Sequence, residues 1–104
     1  SLHDALPISS GHIEKTIVHE NSDTHAIYAR KIYNEIFSVS NFSNAAYNKN
    51  YGIMFPKGKW KEVFNSDDTK YAGEGKYLNG NDIKEQFSYI SLPGYGITFF
   101  EKIN

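Results

Sequence analysis

A run of polar residues, Asn65 to Asp68, is the densest group of side chains in the sequence that could bind a cation. Carboxylates and a side-chain carbonyl are ligands that Ca²⁺ prefers. The same residue types also form tight turns, because their side chains accept hydrogen bonds from nearby backbone N–H groups. The spacing does not match the D-x-D-x-D-G pattern of a calcium loop. We therefore predict a structural turn that uses Asn65 and Asp67 together with Gly73 and Gly75.

Other groups that could carry chemistry are poorly arranged for it. His12, His19 and His25 show none of the spacings typical of metal ligands, and the chain has no cysteine. A cysteine nucleophile, a thiolate metal site and a disulfide are therefore excluded. The adjacent Asp67 and Asp68 do not make the opposed carboxylate pair of a glycosidase. The sequence predicts no catalytic residue, no metal site and no cofactor.

Aromatic residues offer a candidate binding function, since an aromatic ring face can stack on a sugar ring. The candidates for carbohydrate contact are Trp60, Tyr51 and Tyr71. Tryptophan also fills sandwich cores and domain interfaces, and this alternative is favoured for Trp60. Tyr51 and Tyr71 fall beside loops, where tyrosines either contact a sugar or cover sheet edges.

The first residues, SLHDALPI, are excluded from the fold. Read codon by codon, they match the translated 3′ end of a common sequencing-library adapter, and Ser9 fits the codon that would follow. We treat residues 1–8 as a non-native, adapter-derived scar, as one would treat a tag. On this interpretation the chain is a truncated piece of a longer protein.

Composition narrows the class of partner. The net charge is −1, and acidic and basic residues are interspersed without a basic block. This argues against nucleic acid and against an anionic membrane as partners. No apolar run approaches the roughly 18 residues of a membrane span. The lack of cysteine fits a cytoplasmic protein.

The secondary-structure pattern is that of short strands separated by turns. Strand-like segments fall at residues 24–33, 35–42, 50–55, 59–65, 87–92 and 95–102, and residues 11–20 fit either a short helix or an extra strand. Between the last two segments, Pro93-Gly94 predicts a turn in which Pro fixes φ and Gly adopts a positive φ. At least six short strands predict an all-β fold, an antiparallel β-sandwich of two sheets.

Motifs along residues 24–102 carry a family resemblance. They are SNFS at 40–43, YGIMFPKG at 51–58, WKEVFNSDDTKYAGEG at 60–75 and the segment from Leu92-Pro93 to Phe100. Their order and spacing resemble the C-terminal all-β domain of the α-amylase superfamily (glycoside hydrolase family 13), most of all that of 1,4-α-glucan (glycogen) branching enzymes. Ala72 is a departure, because this family usually has glycine there, and alanine is costly where φ is positive.

The resemblance implies a catalytic (β/α)₈ barrel in the same chain, whose Asp nucleophile and Glu acid/base lie outside this sequence. We expect residues 9–23 to connect to that barrel and residues 24–104 to form the C-terminal domain that packs on it and stabilises it. The expected parent is a branching enzyme, which transfers α-1,4-glucan chains to form α-1,6 branches, with α-glucan as a further partner. The alternatives are the C-terminal domain of an α-amylase or related hydrolase, and a free-standing carbohydrate-binding module.

Overall fold

The computed structural model of the chain describes residues 17–20, 27–32 and 35–103. These residues form β-strands in two antiparallel sheets: β1 (Ile17–Glu20), β2 (Ile27–Ile32), β3 (Ile36–Asn41), β4 (Tyr47–Met54), β5 (Trp60–Asn65), β6 (Phe87–Leu92) and β7 (Gly96–Lys102). A short 3₁₀ turn, Thr69–Tyr71, follows β5. No helix in these ranges is long and apolar enough to cross a membrane. The predicted two-sheet antiparallel β-sandwich is confirmed.

The two sheets differ in size and in connectivity. The larger sheet has the strand order β1-β2-β3-β7-β5, and the smaller sheet pairs β4 with β6. Strand β7 therefore lies between β3 and β5, although β4, β5 and β6 separate it from β3 in the sequence. Its register places Phe100 opposite Phe37 of β3 and opposite Glu62 of β5.

Alternation of side chains along the strands builds the core between the sheets. In β3, Phe37, Val39 and Asn41 are fully buried, while on the opposite face Ile36 and Ser40 are only partly covered and Ser38 is 8% exposed. Successive residues of a strand point to opposite faces, so one face of β3 is directed inward. The buried apolar side chains form one cluster from both sheets: Ile27, Ala29, Phe37, Val39, Ile53, Phe55, Trp60, Ile90, Leu92 and Phe100.

Aromatic rings dominate the centre of this core. The ring centroid of Phe55 lies 5.0 Å from that of Phe37 and 5.0 Å from that of Phe100, and Trp60 lies 6.0 Å from Phe37. Such tilted and edge-to-face contacts are favourable for aromatic quadrupoles. Burying each ring contributes roughly 1.5–3 kcal/mol relative to leaving it in water.

Several local predictions are refined by the structure. The segment at 11–20 contributes β1, so the strand alternative holds for residues 17–20. Strand β4 begins at Tyr47, before its predicted start at residue 50, because a bulge between Tyr47 and Tyr51 carries polar residues into the strand. Residues 33 and 34, where the first two predicted strand segments meet, lie outside the described residues.

The turn between β6 and β7 was predicted correctly in place but wrongly in conformation. Gly94 does not adopt a positive φ; the positive φ, 48°, belongs to Tyr95. Glycine is needed at 94 for space, since a Cβ there would lie 2.7 Å from the carbonyl oxygen of Asn44. The turn is therefore shaped by packing against the loop after β3.

Candidate functional site

Trp60 lies in the core at the start of β5 and is fully buried. Its indole Nε1 donates a hydrogen bond to the carbonyl oxygen of Pro56 at 2.9 Å. Neither ring face is accessible to a sugar, and this removes Trp60 from the candidate carbohydrate contacts. Trp60 is therefore a sandwich-core residue, in agreement with the alternative favoured from the sequence.

The two candidate tyrosines lie on different elements. Tyr51 is half-buried in β4 and packs against the core, with its ring 4.8 Å from that of Tyr47. Tyr71 ends the 3₁₀ turn, is 51% exposed, and has its ring 5.0 Å from that of Phe64. The structure therefore does not assemble Trp60, Tyr51 and Tyr71 into one row of aromatic residues, and Tyr71 presents the most ring surface of the three.

The loop that follows β5 is folded around the carboxylate of Asp67. Its Oδ1 accepts a hydrogen bond from the N–H of Glu74 at 3.0 Å, and its Oδ2 accepts from the N–H groups of Lys76 and Tyr77 at 2.8 and 2.9 Å. Asn65 begins the loop, because its Oδ1 accepts from the N–H of Asp67 at 2.8 Å. These side chains satisfy backbone donors that would otherwise lack partners in an irregular segment.

The same hydrogen bonds set the ionisation of Asp67. Partial desolvation raises its pKa, but the backbone N–H groups of Tyr77, Glu74 and Lys76 and the charge of Lys76 outweigh this effect, so the pKa lies below the usual 3.8. Both carboxylate oxygens are engaged by the chain itself. Among the described residues no group of His, Cys, Asp and Glu side chains is arranged to hold a metal ion. His12 and His25 lie outside those residues.

Gly73 and Gly75 allow the loop to close on Asp67. A Cβ at Gly73 would lie 2.2 Å from the carbonyl oxygen of Asp67, so no other residue fits there without moving the backbone. Gly75 has a φ of 72° and donates its N–H to the same carbonyl at 2.7 Å. Ala72 also has a positive φ, 69°, so the alanine at this usual glycine position is strained.

A polar network centred on Glu62 was missed from the sequence. Its Oε2 accepts hydrogen bonds from Nδ2 of Asn79 at 2.7 Å, from Nδ2 of Asn65 at 2.9 Å and from the hydroxyl of Thr98. Its Oε1 accepts from the N–H of Asn79 at 3.0 Å. The sequence did contain a signal for this network, because Glu62 lies on the same face of its strand as Trp60. A carboxylate directed toward the core needs hydrogen-bond partners. The network joins the loop to β5 and β7.

The outer face of the small sheet is apolar. Met54 pairs with Phe87, and Gly52 pairs with Tyr89, so these residues lie on one face of the small sheet. Met54, Phe87 and Tyr89 are 56%, 55% and 57% exposed. A Cβ at Gly52 would lie 2.4 Å from Cζ of Phe87, which shows that this ring covers the glycine. We call these residues the β4–β6 outer patch; large exposed apolar patches are common at the interaction surfaces of proteins.

The family comparison matches this fold along most of its length. A family model described as the alpha amylase C-terminal all-beta domain matches residues 16–102. The chain belongs to this family. A comparison with curated proteins finds no match. The alpha amylase C-terminal domain is a non-catalytic β domain of glycoside hydrolase family 13 enzymes, and membership implies a catalytic barrel in the same chain.

The match also bears on where the domain begins. It starts at residue 16 and includes β1, which pairs with β2 and falls within residues 9–23, the predicted connector. Because β1 is an outer strand of the large sheet, residues 17–20 of that segment contribute to the sandwich. The boundaries of the scar and of the connector stay predictions.

Proposed function

We propose that the chain is the C-terminal domain of a cytoplasmic 1,4-α-glucan branching enzyme, in which it packs on the catalytic barrel through the β4–β6 outer patch. The family match supports the class of parent enzyme. The motifs in WKEVFNSDDTKYAGEG support the choice of a branching enzyme. The observation that carries the docking role is the exposure of Met54, Phe87 and Tyr89 on one sheet face.

Burial of this patch supplies the stabilisation that the proposal requires. A sandwich sheet that faces water normally alternates apolar and polar residues, whereas both registered pairs on this face are apolar. Covering a large apolar side chain contributes roughly 1.5–3 kcal/mol, so three such side chains supply several kcal/mol to an interface. A small domain buries only about two-thirds of its unfolded surface, so such a contribution is a large part of its stability.

A second candidate parent is an α-amylase or related hydrolase, because the matching family carries the amylase description. Such a parent would use the same docking face. A free-standing carbohydrate-binding module receives less support, since that alternative places Trp60 in an exposed aromatic row and Trp60 is fully buried.

The parent is tested by recovering the complete gene. Long-read sequencing of the locus upstream of codon 9 gives the full reading frame, and the complete enzyme is then incubated with amylose. A branching enzyme forms new α-1,6 linkages with few new reducing ends, whereas a hydrolase raises reducing ends without new branches. Rising reducing ends alone would assign the hydrolase instead.

The docking face is tested in the same complete enzyme. Replacing Phe87 and Tyr89 with serine is expected to lower the Tm of the enzyme by several degrees, because an apolar interface is lost. The matched control is Phe42→Ser, since Phe42 is 65% exposed but lies after β3 of the other sheet. Equal effects of the patch variant and the control would remove the docking role from this face.

A further inference from the structure

Asn79 and Gly80 form an Asn-Gly pair, and no other asparagine in the sequence precedes a glycine. In such a pair the backbone nitrogen of the glycine attacks the side-chain amide carbon of the asparagine, since glycine has no side chain to hinder the approach. The attack forms a C–N bond that closes a five-membered succinimide, and it expels the amide nitrogen as ammonia. Water then opens the ring to aspartate or to isoaspartate.

The fold requires both residues of this pair for reasons unrelated to that reaction. Asn79 is buried, at 3% exposure, because its side chain connects β5 to β6. Gly80 is exposed and has a φ of 63°, in a turn where the N–H of Asp82 donates to the carbonyl of Asn79 at 3.3 Å. A positive φ is costly for residues with a Cβ. The two structural requirements therefore place a reactive pair at this connection.

The native network opposes the reaction. The amide Nδ2 of Asn79 donates to Oε2 of Glu62 at 2.7 Å and to the carbonyl of Ser91 at 3.0 Å, while Oδ1 accepts from the N–H of Ser91 at 2.8 Å. Since the reaction expels Nδ2, it must break both bonds that this nitrogen donates, and it leaves buried polar groups without partners. We therefore expect the rate of conversion to follow the population of chains in which the network is open.

Neither product restores the network. Aspartate at position 79 would bring a carboxylate oxygen to Glu62 at the place where Nδ2 now donates, and two buried carboxylates repel each other. A carboxylate also has no hydrogen to donate to the carbonyl of Ser91. Isoaspartate lengthens the main chain by one atom and so displaces the turn at Gly80. Conversion in the open chain therefore prevents the two sheets from being reconnected.

We propose that Asn79 is a self-modification site that the fold protects. A chain that opens converts Asn79 to aspartate or isoaspartate, and the converted chain no longer closes the connection between β5 and β6. Opening thereby becomes irreversible with time, through a chemical change within the chain itself. The inference rests on the Asn79 network and on no property of the parent enzyme.

The test incubates the 104-residue chain at mildly alkaline pH, in buffer and in guanidinium chloride, and follows each asparagine by peptide mapping with mass spectrometry. In guanidinium chloride we expect Asn79 to convert faster than any other asparagine. In buffer its conversion should be slower by at least about tenfold, because only opened chains react. Asn81 is the internal reference, since it is exposed in the same loop and its rate should differ much less between the two solvents.

A second measurement asks whether conversion blocks refolding. After the incubation, guanidinium chloride is diluted, and size-exclusion chromatography separates the refolded chains from those that do not recover. We expect aspartate and isoaspartate at position 79 to be concentrated in the unrecovered fraction. The matched control is Gly80→Ala, which keeps Asn79 but hinders the attack with a methyl group. This variant should recover a larger fraction after the same incubation.

The outcomes separate the two parts of the proposal. Conversion of Asn79 at the same rate in both solvents overturns the protection by the fold, and an Asn79 that stays intact in guanidinium chloride overturns the site itself. Refolded chains that carry the converted residue as often as unrecovered chains overturn the effect on folding. Slow conversion in buffer, together with exclusion of the converted residue from the refolded chains, supports the proposal.

Discussion

The side chain of Asn79 hydrogen-bonds both backbone groups of Ser91 on β6. Its Oδ1 accepts from the N–H of Ser91 at 2.8 Å, and its Nδ2 donates to the carbonyl of Ser91 at 3.0 Å. It thereby occupies the place of a neighbouring strand at this edge of the small sheet. Because Asn79 also binds Glu62 of β5, one buried side chain connects the two sheets.

We predict that Asn79→Ala destabilises the chain by about 2–4 kcal/mol, since it leaves the buried backbone N–H and carbonyl of Ser91 without partners and removes one of the three hydrogen bonds to Oε2 of Glu62. Urea unfolding measures the difference. Asn81→Ala is the control, because Asn81 is exposed in the same loop and its loss should change stability by no more than about 0.5 kcal/mol. Similar midpoints for the two variants would contradict the connecting role.

Ala72→Gly is expected to stabilise the chain by about 1 kcal/mol. Ala72 has a φ of 69°, where glycine avoids a Cβ clash, and this gain exceeds the extra entropy of glycine in the unfolded chain. Ala46→Gly in the loop before β4 should instead be neutral or slightly destabilising, because Ala46 has no positive φ. Thermal unfolding compares them, and a lower Tm for Ala72→Gly would contradict the strain.

The stability of the chain is expected to depend on the charge of Asp67. Its pKa in the fold is lowered, so its contribution is complete above the usual value of 3.8 and is lost as pH falls toward the folded pKa. Asp67→Asn should lower stability at pH 7 by about 2 kcal/mol, since the amide cannot accept from all the backbone N–H groups. It should also flatten the decline of stability below pH 4. If the variant lost stability below pH 4 as steeply as the wild-type chain, the contribution of the Asp67 carboxylate would be contradicted.

Gly73 and Gly80 separate steric from conformational effects. A Cβ at Gly73 meets the backbone of Asp67 at 2.2 Å, whereas a Cβ at Gly80 meets nothing within 4 Å although its φ is 63°. Gly73→Ala should cost at least about 2–3 kcal/mol and disturb the loop, and Gly80→Ala should cost about 1 kcal/mol. Equal losses would show that the loop relaxes around the added methyl group.

The sequence predicted the strands and turns that depend on residues close together in the chain. The bounds of strands β3, β5, β6 and β7 were each predicted to within one residue from alternation and turn residues. The Asp67 turn followed from the tendency of Asn and Asp to bind nearby N–H groups. Strand β4 was truncated in the prediction because its first half is polar.

The remaining features depend on contacts between distant residues. The bond between Glu62 and Asn79 spans 17 positions, and no local pattern encodes which inward carboxylate meets which amide. The outer patch depends on the register of β4 against β6, which decides that Gly52 and Met54 face outward. The burial of Trp60 depends on both sheets being present.

The position of β7 in the large sheet determines when that sheet can form. Strand β3 pairs with β7 and not with any strand between them in the sequence. During synthesis the edge of β3 that binds β7 therefore stays unpaired until β4, β5 and β6 have been synthesised. Pairing at such sequence separation makes folding slow, and it leaves an unpaired edge beside Phe37 and Val39 open to other chains in the meantime. A nascent chain stalled before residue 96 would therefore be a substrate for chaperones and would lack a completed sandwich.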